Sequence, residues 1–129
     1  MLLLLVAVAM NCLYASVHTG SCGPNVTYSL DTTTGVLTIS GTGAMYDYSP
    51  WASKQSYIKR VIIEDGVTTI GDSAFKWCTS LSSVTIGNTV LNIGDYAFFR
   101  CGKLSSLSIP DSVTSIGYLS LIHISEPTR

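Results

Sequence analysis

The chain has 129 residues, a formal net charge of −1 and only 12% charged residues. That length suits one small domain or part of a larger one, and so little positive charge argues against a nucleic-acid partner, which needs a basic stripe for its phosphates. Thr, Ser, Val, Ile and Gly dominate the middle of the chain, a mixture that favours strands and turns over long helices.

The first residues read MLLLLVAVAMNCLYAS. The apolar run from Leu2 to Met10 is too short to span a bilayer, and small residues follow at Ala15 and Ser16. This resembles a secretory signal peptide over residues 1–16, with cleavage near Ala15. The competing readings are a buried strand and a misplaced start codon, because no Lys or Arg precedes the run. Export implies a secreted or cell-surface location, and any membrane attachment would need an anchor outside these residues. Loss of the leader removes Cys12 and leaves Cys22, Cys78 and Cys101, an odd number that does not fit a disulfide-stapled miniprotein.

Residues 17–57 read as an N-terminal β segment. Strands are expected at Val26–Leu30 and Val36–Ser40, with Asp31–Gly35 as the hairpin loop and Gly41 and Gly43 closing the second strand. Tyr46, Tyr48 and Trp51 are expected to pack. A stack of coils exposes core and strand edge at its open end, so this hairpin is assigned as the cap.

From residue 58 the chain repeats every 23 residues. The register is set by Ile58/Leu81/Leu104, Ile63/Ile86/Ile109, Ile70/Ile93/Ile116, Gly71/Gly94/Gly117 and Cys78/Cys101. Within one unit Val84 and Ile86 alternate with Ser83 and Thr85, the period of a half-buried strand. Val90 and Ile93 form a second apolar pair, Gly94 is expected at a turn with positive φ, and Ala97 and Phe98 return to the core. One coil cannot close a core alone, so neighbours must stack with parallel strands about 4.8 Å apart. Like residues then form columns, Phe75 over Phe98 and Cys78 over Cys101. The expected fold is mainly β: a parallel β solenoid of the leucine-rich-repeat type with short helical or 3-10 turns, spanning residues 58–118.

The unit L-x-x-V-x-I-x-x-x-V-x-x-I-G-x-x-A-F-x-x-C resembles the BspA-type, or Treponema pallidum-type, leucine-rich repeat. The resemblance covers Ile58 to Tyr118, and the stretch from Cys22 to Trp51 is similar to the segment that often leads into such arrays. It implies a surface or secreted protein that attaches to host or bacterial surface proteins.

The last eleven residues, LSLIHISEPTR, depart from the repeat. Ala, Phe and Cys are due at 120, 121 and 124, where the chain has Ser120, Leu121 and Ile124. A degenerate capping repeat is one reading. The reading that fits better is that residues 119–129 resemble the translation of a transposase-based sequencing adapter, which removes His123, Glu126 and Arg129 from functional consideration. LSLIHI is apolar enough to be recruited to the end of the array in either case.

Chemistry is sparse. Outside that tail His18 is the single histidine, so no Ser-His-Asp or Cys-His arrangement has a base within the repeats. The cysteines lack CxxC spacing and histidine partners, which argues against zinc. Asp72 and Asp95 fall in register and could act as a calcium ladder or an acid pair, but solvated turn positions suit them better, since no further ligands converge. Gly41-Thr42-Gly43 lacks the lysine and helix of a phosphate loop, and Asn25-Val26-Thr27 matters only in a eukaryotic secretory pathway. No cofactor, metal or small-molecule substrate is implied. Lys54, Lys59, Arg60, Lys76, Arg100 and Lys103 read as scattered solubility residues.

What remains is surface. The outward strand positions should form two rows, Arg60, Ser83 and Ser106, then Ile62, Thr85 and Ser108, as a candidate protein-binding face. The functional expectation is a non-catalytic, adhesin-like binding module whose partner is a protein on a host or bacterial surface. The alternatives are a structural spacer in a longer surface protein, or a repeat region attached to an enzymatic domain encoded further along. A long sequencing read across the 3′ end of the gene tests the tail. Codons continuing into Ala-Phe-x-x-Cys are expected; LSLIHISEPTR followed by a stop would make it a natural C-terminal cap.

Overall fold

The computed structural model describes residues 16–121, Ile124 and residues 126–128. The expected leader lies outside these residues apart from Ser16, as do Cys12, His123 and Arg129. In chain order the strands are β1 (Val17–Gly23), β2 (Val26–Asp31), β3 (Val36–Gly41) and β4 (Gly43–Ala44), then a 3-10 turn at Ala52–Tyr57. They continue with β5 (Arg60–Ile63), β6 (Val67–Ile70), β7 (Ser83–Ile86), β8 (Asn92–Ile93), β9 (Ser106–Ser108), β10 (Ser115–Ile116) and β11 (Glu126–Thr128). One sheet runs β1-β2-β3-β5-β7, a second β10-β8-β6-β4, and β9 pairs with β11. Strands β1, β2 and β3, in the segment that the sequence reading assigns as the cap, are antiparallel, and every pairing from β3 onward is parallel. This is a mainly β, parallel β solenoid.

The hairpin falls where the alternation places it, but β1 does not show that signal. Its sequence VHTGSCG has one aliphatic residue, and that residue, Val17, is 56% exposed. Pairing makes it a strand. Gly20 lies directly opposite Tyr28, and a Cβ at Gly20 would meet the Tyr28 ring at 3.0 Å. The bare backbone therefore makes room for Tyr28 to turn inward, edge-on to Trp51 at 5.2 Å.

The core is a set of columns. Val61 and Leu107 are buried with Val84 packed between them; Val67, Val90 and Val113 form another column, and Ile58, Leu81 and Leu104 a third. The aromatic column is the largest: Trp51 stacks on Phe75 at 5.5 Å, and Phe75 on Phe98 at 5.3 Å. Trp51 also donates its indole N–H to Ala74 O at 2.9 Å, so a residue of the cap occupies the phenylalanine column and satisfies its own polar atom there. Tyr48 does not follow Trp51 inward. It is 57% exposed and stacks on Tyr46 at 5.1 Å, a surface pair in place of the expected packing residue.

The repeated glycines serve a different purpose from the one their spacing suggests. Gly71, Gly94 and Gly117 do not have positive φ; Ser73, Tyr96 and Leu119, two residues later, carry it at 57°, 58° and 54°. Glycine is required because coils touch. A Cβ on Gly94 would lie 2.6 Å from Asp72 N, and one on Gly71 would strike the carbonyl oxygen of Tyr46. The adjoining aspartates complete the corner. Asp47, Asp72 and Asp95 each accept, through Oδ1, the backbone N–H of Asp72, Asp95 and Tyr118 at 3.0, 2.8 and 2.7 Å.

Beyond Gly117 the chain stays in frame without the anchor residues. Ser120 occupies the alanine position and is buried, its hydroxyl donating to Gly117 O at 2.8 Å. Leu121 packs at the phenylalanine position and Ile124 is buried at the cysteine position. The strand falls at Glu126–Thr128, later than LSLIHI, and lies parallel on β9.

Two substitutions separate column packing from corner crowding. Phe98→Ala should cost about 3–5 kcal/mol in urea unfolding. Gly94→Ala should cost about 1–3 kcal/mol because backbone must shift, whereas Gly102→Ala, where a Cβ meets nothing within 4 Å, should stay within about 0.5 kcal/mol of the parent. Equal effects at Gly94 and Gly102 would refute the crowding argument.

Candidate protein interface

Parallel pairing sets Val36, Arg60 and Ser83 in one outward row and Thr38, Ile62 and Thr85 in the next. Side chains alternate along a strand, so Val61 and Ile63 fill the core while their neighbours face out. Arg60 and Thr85 are exposed; Ile62 and Ser83 are half-buried. The cap widens the face, since β2 brings Ser29 opposite Thr38, and β1 brings Thr19 opposite Ser29. A third row starts at Ser40, whose hydroxyl donates to Glu64 Oε1 at 2.7 Å. At the cap edge, the amide of Thr33, the hydroxyl of Ser16 and the amide of Thr34 hold the Asp31 carboxyl below its usual range.

The next coil brings Ser106 and Ser108, and Ser108 lines one cleft with Thr85. Both serines are exposed on β9, but β9 is not hydrogen-bonded to β7. Part of the reason is one residue. Glu64 N donates to Ile39 O at 3.0 Å, and two coils later the equivalent position is Pro110, which has no N–H. A cleft of about 220 Å³ opens there, lined by Val84, Thr85, Ile86, Asn88, Ser108 and Pro110. The same coil leaves Ser112 Oγ buried with no partner among the described residues.

The turn side of the coils carries a second arrangement that the sequence did not reveal. Lys76 and Arg100 are not isolated solubility residues. The Lys76 ammonium sits 5.1 Å from the Tyr96 ring centre and 5.7 Å from Phe99; the Arg100 guanidinium sits 5.6 Å from Trp77 and 5.3 Å from Phe99. The rings meet edge to face: Trp77 on Phe99 at 6.1 Å, Tyr96 on Phe99 at 5.4 Å, Tyr96 on Tyr118 at 5.9 Å. Trp77 and Arg100 both have φ 64°, a left-handed conformation that costs a bulky residue about 1–2 kcal/mol. The 23-residue shift places Trp77 in register with Arg100, and Lys76 with Phe99. The available signal was a cation in one coil facing an aromatic residue in the next at the same repeat position.

Among the described residues the cysteines lie in the core, and Asp72 and Asp95 sit at the corners between coils. Cys22, Cys78 and Cys101 are free and buried, and Cys101 Sγ donates to Phe75 O at 3.1 Å. Burial pushes the Cys22 thiol up to about 11 and that of Cys101 to about 12, and drives Cys78 upward too, helped by its neighbour Cys101. Asp72 and Asp95 have their Oδ1 atoms committed to backbone amides. Among the described residues no three His, Cys, Asp or Glu side chains converge as metal ligands.

A family profile described as a BspA type leucine rich repeat region (6 copies) matches residues 51–126. A leucine-rich repeat protein from Eubacterium ventriosum ATCC 27560 has a similar structure, with a TM-score of 0.64 at 28% identity, over 84% of this chain and 36% of that one. The chain thus spans 36% of the length of that relative. A second, from Bacteroides capillosus ATCC 29799, has a TM-score of 0.58 at 20% identity over 85% of this chain and 96% of that one, a likeness of fold. No curated protein sequence matches the chain significantly.

The buried thiols give a pH prediction. A thiol whose value rises above the ordinary 9.0 on folding keeps its proton in the folded state while the unfolded state loses it. Their contribution is therefore fully present below about pH 9 and declines as pH climbs toward 11 and 12. Urea midpoints taken from pH 7 upward should fall above pH 9, and Cys78→Ala with Cys101→Ala should flatten that fall. An unchanged slope in the double variant would show that these two thiols bind protons equally in the folded and unfolded states.

Proposed function

The chain belongs to the BspA-type leucine-rich repeat family, and from that premise we propose that it is a non-catalytic, exported protein-binding module of the adhesin kind, secreted or held at a cell surface. The observation that carries this reading is the outward sheet face. It runs in register across β1, β2, β3, β5 and β7 and presents short hydroxyl side chains with Arg60 and Ile62 among them. Extended solenoid faces of this type accept a partner over several coils. The non-catalytic part of the reading is supported by thiols kept protonated in the core and by corner aspartates engaged with backbone. The partner would be a protein on a host or bacterial surface.

A structural-spacer role in a longer surface protein is the alternative, and one feature favours it: serine and threonine are poor contributors to binding hot spots. Labelled protein titrated onto intact epithelial and bacterial cells, with and without protease pretreatment, separates the two. Saturable, protease-sensitive binding that drops about tenfold in Thr38→Arg/Thr85→Arg is expected for a module that binds through this face. Non-saturable binding, or the same binding by the folded variant, would favour the spacer.

A further inference from the structure

We propose that the turn side of the coils is a second interaction surface, separate from the strand face, which takes an acidic polypeptide segment carrying aromatic or other apolar side chains. Its parts are Lys76, Trp77, Tyr96, Phe99, Arg100 and Tyr118. Phe99 is the hub: the Trp77 and Tyr96 rings meet it edge to face, and both cations sit within 6 Å of its centre. Around it Trp77 is 47% exposed and Tyr118 is 68% exposed, while the other tryptophan, Trp51, is 1% exposed in the core.

Three observations define the occupant. First, among the described residues neither Lys76 nor Arg100 makes an ion pair; the aspartates of the neighbouring corners turn Oδ1 to backbone amides instead. Two positive groups held over apolar rings and left without counter-charge favour carboxylates on the partner, because such a pair forms in a partly dry setting. Second, the composition is that of a protein hot spot, in which Trp, Tyr and Arg dominate, and it contrasts with the Ser/Thr strand face. Third, the rings pack edge to face and carry cations, so few ring faces are left open for a flat sugar to stack upon. The surface is also preorganised. Trp77, Tyr96 and Arg100 are held by one another's ring and cation contacts around Phe99, so less side-chain freedom is lost when the partner binds.

The probe is a poly(Glu,Tyr) copolymer, titrated into the whole chain by calorimetry and by acrylamide quenching of tryptophan emission. Saturable binding that shields Trp77 and weakens as salt is raised is expected, with buried Trp51 as the unquenched reference. Lys76→Gln/Arg100→Gln and, separately, Trp77→Ala should each weaken it about tenfold or more, while Thr38→Arg/Thr85→Arg leaves it unchanged. Absence of saturable binding by the folded parent chain would overturn the proposal, as would equal affinity in the charge-removing variant. Tighter binding of polygalacturonate through the same residues would overturn it too, in favour of an acidic glycan. Testing both variant pairs on cells as well keeps the two surfaces apart: loss with Thr38→Arg/Thr85→Arg alone concerns the strand face, and loss of the copolymer alone concerns this one.

Discussion

The corner where each coil turns against its neighbour fixes the rest of the structure. There the backbone of one coil lies directly on the next, with no room for a Cβ at Gly71, Gly94 or Gly117. The preceding coil's aspartate reaches across and accepts an amide. Both contacts hold only if coils remain one strand spacing apart, about 4.8 Å. At that distance every side chain sits over its equivalent, so the core becomes columns of like shape, and a change in one coil is felt by its two neighbours. The reach of Trp51 into the next coil, where it bonds to Ala74 O and stacks on Phe75, is the same rule applied ahead of the first repeat.

The same spacing makes two unlike surfaces from one repeat. On the strand side alternation is strict and most outward residues are short, Arg60 and Ile62 being the longer ones, so the face is largely flat and polar. On the turn side the left-handed residues break the alternation and send long side chains outward in pairs one coil apart. A spacing near 5 Å suits ring-on-ring and cation-on-ring contacts, whose centres sit about 4.5–7 Å apart. The cations of the turn side are therefore bound to rings, whereas Arg60 on the strand side has only Val36 and Ser83 for row neighbours.

Most of the fold was legible because a repeat reports each position more than once. Ile63 alone says little, but Ile63, Ile86 and Ile109 at one spacing specify a buried strand position. The features that escaped are those that occur once or depend on contact between coils. β1 carries no apolar alternation, and only its pairing with β2, with Gly20 under Tyr28, makes it a strand. The glycines could be located but not explained, because crowding by a neighbouring backbone leaves the same mark in a sequence as a positive φ. The strand face was visible as rows up to β7. The end of the hydrogen-bonded ladder at β9 follows in part from Pro110, which could have been compared with Glu64 in the first coil and read as a missing donor. The turn-side cluster escaped because Lys76 and Trp77 lie beside different residue types, Phe99 and Arg100, when the coils stack. A search for identical residues in register passes over complementary ones.

The last coil shows what the frame itself demands. Ser120, Leu121 and Ile124 match none of the anchor identities, yet they stand at the alanine, phenylalanine and cysteine positions and close over the preceding coil. Ser120 can be buried because its hydroxyl turns back to Gly117 O, and Leu121 and Ile124 supply apolar volume of about the right size. The template therefore selects for volume and satisfied polar atoms rather than for residue type. If residues 119–129 are adapter-derived, as the sequence reading expects, this accommodation owes nothing to selection on those residues, and the corner contacts at Asp95 and Gly117 lead the chain into register. The anchors Ala, Phe and Cys then matter for what a coil adds beyond register: a ring to extend the aromatic column and a thiol that bonds to the phenylalanine carbonyl one coil back, as Cys101 does to Phe75.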